Sequence, residues 1–286
     1  MPVLYGLSSG IYFIIYYLAR YRRETVRNNL KQAFPNKDEA HIIKLEKKFY
    51  RFLCDNVIET LASTHMDQQE LLSRFHFTNL EVLEPYLSEQ QSLQLLTIHQ
   101  GNWEWLLQVL TIKLQAPMDA IYRPLHDSFF DDFFLRLRSR FGARLLPAEK
   151  AVKALLKSRR EFRLFSMMAE QSPIRRDKKY WRPFLNRLAP FYLGTQKIAE
   201  LTQYPVFYFR IHRVRRGYYE VTFELLAEPP FEKGSFDILE RYIDAAERAI
   251  IDQPETWMWS NRKWRRSPMG DDSDFFRPSE APLRSN

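Results

Sequence analysis

Between residues 21 and 62 apolar side chains recur at helical spacing; from Leu93 onward they gather into short runs separated by helical stretches. In the first region Phe34-Pro35-Asn36-Lys37-Asp38 breaks the pattern. This predicts a helix before the break and a second one reaching about Leu61, with Ile42, Leu45, Phe49, Phe52, Leu53 and Ile58 along its inner face. Residues 80–91 add a short helix. The pattern then predicts a strand over Leu93–His99 and a helix capped by Asn102 that runs to about Leu114. A strand over Ala120–Arg123 ends at Pro124, and a helix opens at Asp127 or Ser128 and runs to about Phe141. Its acidic start (Asp131, Asp132) and basic end (Arg136, Arg138, Arg140) both suit the helix dipole, and Gly142 can terminate it. Next come a strand at Arg144–Leu146, a helix over 148–160 and a strand at Phe162–Ala169. Pro205–His212 and Tyr218–Ala227 predict a hairpin turning at Arg215-Arg216-Gly217. Residues 235–252 form a last amphipathic helix with Leu239, Tyr242, Ile243, Ala246 and Ile250 on one face. The strand–helix alternation from 93 to 212 predicts an α/β domain.

The two ends differ from this middle. Residues 1–19 carry no charged side chain, and Arg20, Arg22 and Arg23 follow at once. The apolar length is close to the about 20 residues a bilayer span needs. There is no basic leading region and no small-residue cleavage site, so a signal peptide is not expected. The tyrosines and trailing arginines suit a membrane interface, so residues 1–20 are expected to be a membrane anchor or an interfacial helix. Residues 21–266 form the main domain, and the polar, Pro-containing tail over 267–286 is expected to be disordered.

Hydrophobic residues make up 45% of the 286, which supplies a sizeable core. The net charge of +8 favours anionic partners: nucleic acid, anionic lipid surfaces or acidic carrier proteins. The basic aromatic run from Trp257 to Arg266 is framed by no nucleic-acid-binding motif, so nucleic acid is not the expected partner. That run suits a membrane interface or a packed C-terminal segment with its arginines in solvent. Cys54 stands alone, so no internal disulfide can form; within a helical pattern it reads as a buried structural thiol.

The chemistry concentrates in Leu95-Leu96-Thr97-Ile98-His99-Gln100-Gly101-Asn102-Trp103-Glu104. A strand delivers an imidazole into a Gly-containing turn, and a carboxylate follows in the first turn of the next helix. His99 and Glu104 are five positions apart, which would not align them on one continuous helix. Across a strand–turn–helix junction they can meet, with His99 as general base and Glu104 orienting it. Free backbone N–H groups at the helix start, from Gly101 to Trp103, can steady an oxyanion. A structural His capped by a nearby Glu fits the same spacing. GxSxG, P-loop, GxGxxG and HExxH motifs are all absent, and the other histidines show no metal-ligand spacing. Neither a metal nor a cofactor is therefore expected. Phe129, Phe130, Phe133 and Phe134 can line an apolar groove, although a plain core face fits their pattern better.

His99-Gln-Gly-Asn-Trp-Glu104 resembles the H-x4-D/E motif of acyltransferases, and more specifically the lipid A biosynthesis acyltransferase family. Four further blocks carry the resemblance in order. They are Asn28-Asn29-Leu30 to Phe34-Pro35; Tyr122-Arg123-Pro124 with Arg138-Ser-Arg140-Phe-Gly142; Ala169-Glu170-Gln171-Ser172-Pro173 with Pro183-Phe184 and Pro190 to Gly194; and the ending Pro254-Glu255-Thr256-Trp257-Met258-Trp259-Ser260-Asn261-Arg262-Lys263-Trp264. Glu170 stands where the family often has Asp, and Asn261 where it often has His. The resemblance implies a central mixed β-sheet flanked by helices, glycerolipid acyltransferase-like, with an N-terminal membrane-associated helix. It implies acyl transfer from an acyl carrier protein or acyl-CoA to a hydroxyl of an anionic glycolipid, a lipid A precursor, at the cytoplasmic face of a bacterial inner membrane. His99 and Glu104 would be catalytic, with Gly101, Asn102 and Trp103 as oxyanion donors. Arg123, Arg138 and Arg140 would bind acceptor phosphates, and Glu170 would assist a second proton movement or orient a binding residue. Another acceptor (ornithine lipid, lysophospholipid or glycolipid) would use the same chemistry. Two further classes are an esterase or thioesterase and a non-catalytic membrane-associated lipid-binding protein, the latter opposed by the intact His99/Glu104 pair.

Overall fold

The computed structural model describes residues 1–174, 177–266, 268 and 275–276. Its strands are β1 (Phe75–Phe77), β2 (Leu93–Thr97), β3 (Met118–Tyr122), β4 (Arg144–Pro147), β5 (Leu164–Met168), β6 (Lys179–Phe184), β7 (Arg187–Tyr192), β8 (Val206–Arg215), β9 (Tyr218–Ala227) and β10 (Phe275–Phe276). Its α-helices are α1 (Pro2–Phe13), α2 (Arg23–Ala33), α3 (Glu39–Ala62), α4 (Gln68–Leu72), α5 (Glu84–Ser88), α6 (Trp103–Leu114), α7 (Ser128–Ser139), α8 (Ala148–Lys157), α9 (Gly194–Thr202) and α10 (Asp237–Asp252).

A seven-stranded sheet in the order β1-β9-β8-β2-β5-β3-β4 forms the centre. Every neighbouring pair is parallel except the β8–β9 hairpin. Every residue of β2 is buried, as a parallel strand covered on both faces must be. Its successive side chains enter opposite layers: Leu95 joins the buried cluster that holds Trp105 and Val109 of α6, and Leu96 the cluster that holds Tyr242 and Ile243 of α10. Asn102 and Asp127 cap α6 and α7 as their positions predict; their side chains accept the N–H of Trp105 at 2.9 Å and of Phe130 at 3.1 Å. This is the mixed α/β architecture expected, with a parallel and antiparallel central sheet flanked by helices.

One expectation needs amendment, and two features were not foreseen. The phenylalanines of α7 do not form a core face: Phe129 is 73% and Phe130 54% exposed, and Leu137 is the buried residue of that helix. A second sheet, β10-β6-β7, was not evident from the pattern. At the N-terminus α1 passes into a π-helical turn (Ile14–Leu18), and the chain then bends by 88° into α2. Among the described residues no single helix is long and apolar enough to cross a membrane. The expected disordered tail falls outside the described residues, apart from residue 268 and β10, which pairs with β6. Cys54 is buried, and burial pushes its thiol up to about 11, as suits a structural residue.

Helix α1 is moored by polar contacts to α3. Tyr5 and Tyr16 each donate to a buried carboxylate, Glu59 and Glu46, at 2.9 Å, and the Ser8 hydroxyl donates to Asp55 at 2.6 Å. Asp55 also accepts from Arg213 (2.6 Å) and Arg216 (2.6 and 2.8 Å) of the β8–β9 hairpin. The outer side of this segment exposes Val3, Leu7, Phe13, Ile14 and Leu18. Burial acts to raise the Asp55 carboxyl, but the hydrogen bonds from Arg216, Ser8 and Arg213 outweigh it and hold it below the usual range. A depressed carboxyl adds stability that is complete above the unfolded-state value and lost as pH falls through the native one. Thermal melts should therefore show a decline below about pH 5. Asp55→Ala should remove part of that decline and destabilise the fold by roughly 3 kcal/mol, because two arginines lose their counter-charge.

Candidate active site

Strands β2 and β5 run side by side and parallel, with Thr97 opposite Met168. Two residues beyond this pair, one chain delivers His99 and the other Glu170. In parallel α/β sheets such carboxyl ends border the crevice where ligands bind. His99 Nδ1 lies 2.8 Å from Glu170 Oε1, and the same oxygen accepts the His99 backbone N–H at 3.1 Å. Glu170 is fully buried, whereas the His99 side chain is 20% exposed, so the imidazole faces the opening and the carboxylate stands behind it. Burial alone would raise the Glu170 carboxyl; the His99 charge and hydrogen bonds outweigh it and hold the group below the usual carboxylate range.

The spacing of the two strand ends is itself held. The buried Tyr242 hydroxyl of α10 donates to Thr97 O at 2.9 Å and accepts the Ala169 N–H at 3.1 Å. Gln171 Nε2 lies 3.3 Å from both imidazole nitrogens, and the Trp103 ring meets the imidazole edge-on at 5.3 Å.

The turn after His99 is pinned from three elements. Gly101 N–H donates to Thr256 O (3.1 Å), and Met258 N–H donates back to His99 O (3.2 Å). The Gln100 amide donates to Ala249 O (2.9 Å) and Gln253 O (3.1 Å). The Asn102 amide donates to the buried Glu59 carboxylate of α3 at 2.9 Å. Trp257 is bridged to Gln100 and Trp259 meets Trp257 edge-on at 4.8 Å, both buried, so the C-terminal aromatic run is a packed segment.

The candidate residues do not all converge. Glu104, expected to orient His99, instead takes a two-pronged ion pair from Arg138, at 2.8 Å (Nε) and 2.6 Å (Nη2). It reaches the imidazole only through Trp103, whose Nε1 donates to it at 3.1 Å. The carboxylate on the imidazole is that of Glu170, seventy-one residues along the chain. Arg140 is exposed, but its Nη1 donates to Ser63 O (2.6 Å) and Met66 O (2.7 Å), the carbonyls just past α3. Arg123 is exposed over the Tyr192 ring at 5.6 Å, near the Glu170–Pro173 segment, since Tyr192 OH donates to Ser172 O at 3.3 Å. Of the three oxyanion candidates, Gly101 has its N–H engaged by Thr256. Asn102 and Trp103 place theirs at the start of α6, where no intrahelical acceptor exists.

Sequence reasoning did not single out Tyr242, Glu59 or Lys263. Tyr242 sat in an apolar helical stripe, where nothing distinguished its hydroxyl from a ring edge. Lys263 is fully buried; its ammonium donates to Pro190 O and lies 3.5 Å from the Phe191 ring centre. Burial drives it well below the usual lysine range, opposed by the charge of Glu170.

The family model described as bacterial lipid A biosynthesis acyltransferase matches residues 1–266. The chain belongs to this family. No curated protein matches it in sequence. As a lipid A biosynthesis acyltransferase, the protein must receive an acyl donor and a lipid acceptor. Within the matched region its partly exposed imidazole is backed by a buried carboxylate, an arrangement suited to moving a proton to and from a bound group.

Proposed function

We propose that the protein transfers a fatty acyl chain from an acyl thioester, carried by acyl carrier protein or CoA, to a hydroxyl of a lipid A precursor. His99 Nε2 takes the hydroxyl proton as the oxygen attacks the thioester carbonyl. Glu170 on the Nδ1 side fixes the tautomer and balances the imidazolium. The tetrahedral oxyanion meets the Asn102 and Trp103 N–H groups at the positive end of α6. It collapses with cleavage of the C–S bond, and the His99 proton passes to the departing thiolate. The products are an ester and a free thiol.

The observation that carries this reading is the His99–Glu170 contact at the ends of two adjacent parallel strands. The exposed apolar residues Val3, Leu7, Phe13, Ile14, Leu18, Phe129 and Phe130 support work at a lipid surface, and the net charge of +8 supports an anionic one. We place that surface at the cytoplasmic face of a bacterial inner membrane. In this reading the Glu104–Arg138 pair braces α6 against α7 beside Trp103, and Arg123 stands at the rim for acceptor phosphates.

The test is mass spectrometry of lipid A and phospholipids from cells lacking the protein, complemented with wild type or His99→Ala. Lipid A should lose the mass of one acyl chain, restored by wild type and not by the variant. Unchanged lipid A alongside a second lipid class short of one chain would overturn the acceptor.

A further inference from the structure

Beside the imidazole lies an open cleft of about 370 Å³, bordered by Tyr21, Arg22, Leu53, Gln171, Ser260 and Asn261. That volume is within the roughly 300–1,000 Å³ of small-molecule sites. Gln171 joins the cleft to the catalytic pair, with its amide 3.3 Å from both nitrogens of His99. Part of its lining, Tyr21 and Arg22, comes from the bend between the N-terminal apolar helix and α2, where Arg20 and Arg22 both have left-handed backbones (φ 51° and 50°). Side chains other than glycine rarely hold that conformation, and it gathers at binding sites. Here it is fixed from outside: Tyr50 OH donates to Tyr21 O, and Arg22 Nη1 donates to Ser260 O at 3.0 Å.

The charge in this wall is uneven. Arg23 and Arg27 share one carboxylate, that of the buried Glu46. Arg22, exposed, pairs with no carboxylate among the described residues, and its bond to Ser260 leaves guanidinium N–H groups to spare. The cleft lining thus holds a positive fork, and through Gln171 it borders the proton acceptor. The matching ligand carries a phosphate and, a short distance away, a hydroxyl. The apolar side chains of Phe13, Ile14 and Leu18 are exposed just before the bend, so the cleft sits where a lipid's headgroup follows its tails.

We propose that this cleft receives the phosphorylated headgroup of the lipid acceptor, with Arg22 as the phosphate ligand and Gln171 between it and His99. The inference rests on the acyl-transfer reading for its choice of acceptor over donor. It also moves the acceptor phosphate from Arg138, whose guanidinium is forked onto Glu104, and from Arg140, which does not border the cleft; Arg123 keeps its place at the rim.

The test compares full-length wild type, Arg22→Ala and Arg22→Lys in detergent micelles. The acceptor is a phosphorylated lipid A precursor or the same lipid after phosphatase treatment. Arg22→Ala should raise KM for the phosphorylated acceptor by about 10-fold or more and match wild type on the dephosphorylated one. Arg22→Lys, which keeps the charge and loses the fork, should fall between. KM for the acyl donor should stay put. An unchanged acceptor KM, an equal rise on both acceptors, or a rise in donor KM instead would each overturn the proposal. A parallel arm measures binding of each protein to phosphatidylcholine vesicles doped with either lipid. If wild type acylates neither lipid, the acyl-transfer reading falls, and the vesicle arm alone decides the cleft. A phosphate-dependent loss of binding in Arg22→Ala supports the cleft, and equal binding sinks it.

Discussion

Glu170→Ala is expected to lower kcat by roughly 10³–10⁴-fold, the scale seen when the carboxylate behind a catalytic imidazole is lost, with little change in KM. Glu170 Oε1 accepts from both the ring and the backbone of His99, so its removal frees the tautomer and leaves the imidazolium without a counter-charge. Glu170→Gln should lose nearly as much. The amide keeps the shape and an acceptor oxygen, but it cannot balance the positive ring formed in the transition state. Glu170→Asp keeps the charge with one fewer methylene and should recover a large share of the rate. Circular dichroism of each variant separates loss of the pair from loss of the fold.

The contrast with Glu104 makes this prediction decisive. By spacing, Glu104 is the expected partner of His99, and its loss would then match that of His99 itself. In the structure it belongs to Arg138. Glu104→Gln should therefore cost less than Glu170→Gln. Glu104→Gln and Arg138→Ala should be non-additive, because either change breaks the same fork. Steady-state kinetics of the four variants settle the assignment; a larger loss at Glu104 than at Glu170 would refute it.

The difference between the two readings shows what sequence pattern can carry. The junction from β2 through Gly101 to α6 was legible because every signal in it is local: an apolar run, a turn glycine, an Asn cap. The β8–β9 hairpin was legible for the same reason, with Arg216-Gly217 between two β-branched and aromatic runs. The His99–Glu170 contact is set by the register of two parallel strands distant in the chain, and no local pattern encodes that register. The available hint was that one predicted strand ends in an imidazole and another, Phe162–Ala169, is followed at once by a carboxylate. The β6–β7 hairpin was hidden by its own residues. Pro183 and Pro190 argue against strands, and the turn is made by Leu185 and Asn186, both left-handed (φ 50° and 63°), where such turns favour Asn-Gly. Arg138 and Arg140 were legible as arginines near the site, but whether a guanidinium faces a ligand or a carbonyl is decided by packing. Arg22 was visible only as one of a cluster following an apolar helix.

Gly101→Ala is the second change expected to have a large effect, for a reason independent of proton transfer. Gly101 has φ +61°, and a Cβ built there would lie 2.5 Å from Ile211 Cγ2 and 2.9 Å from its Cβ. Ile211 is 2% exposed in β8, so it has little room to retreat. The left-handed backbone costs about 1–3 kcal/mol for a non-glycine residue, and overpacking a buried neighbour adds a comparable amount. The turn can relieve the overlap only by lifting off β8, which would break the Gly101–Thr256 hydrogen bond and displace His99 from Glu170. A displacement of about 1 Å at a reacting group can cost 10²-fold in rate. Gly101→Ala should thus lose roughly 2–6 kcal/mol in urea unfolding and most of the activity together. The double variant Gly101→Ala/Ile211→Ala separates the two causes. Ile211→Ala alone opens a core cavity and is itself destabilising. It also deletes the methyl that Cβ would strike, so the pair should be less destabilised than the sum of the singles by about 1 kcal/mol or more. Strict additivity would show that the Ile211 methyl contributes nothing, leaving the cost to the backbone angle and to the 2.9 Å approach to Ile211 Cβ, which the double variant retains.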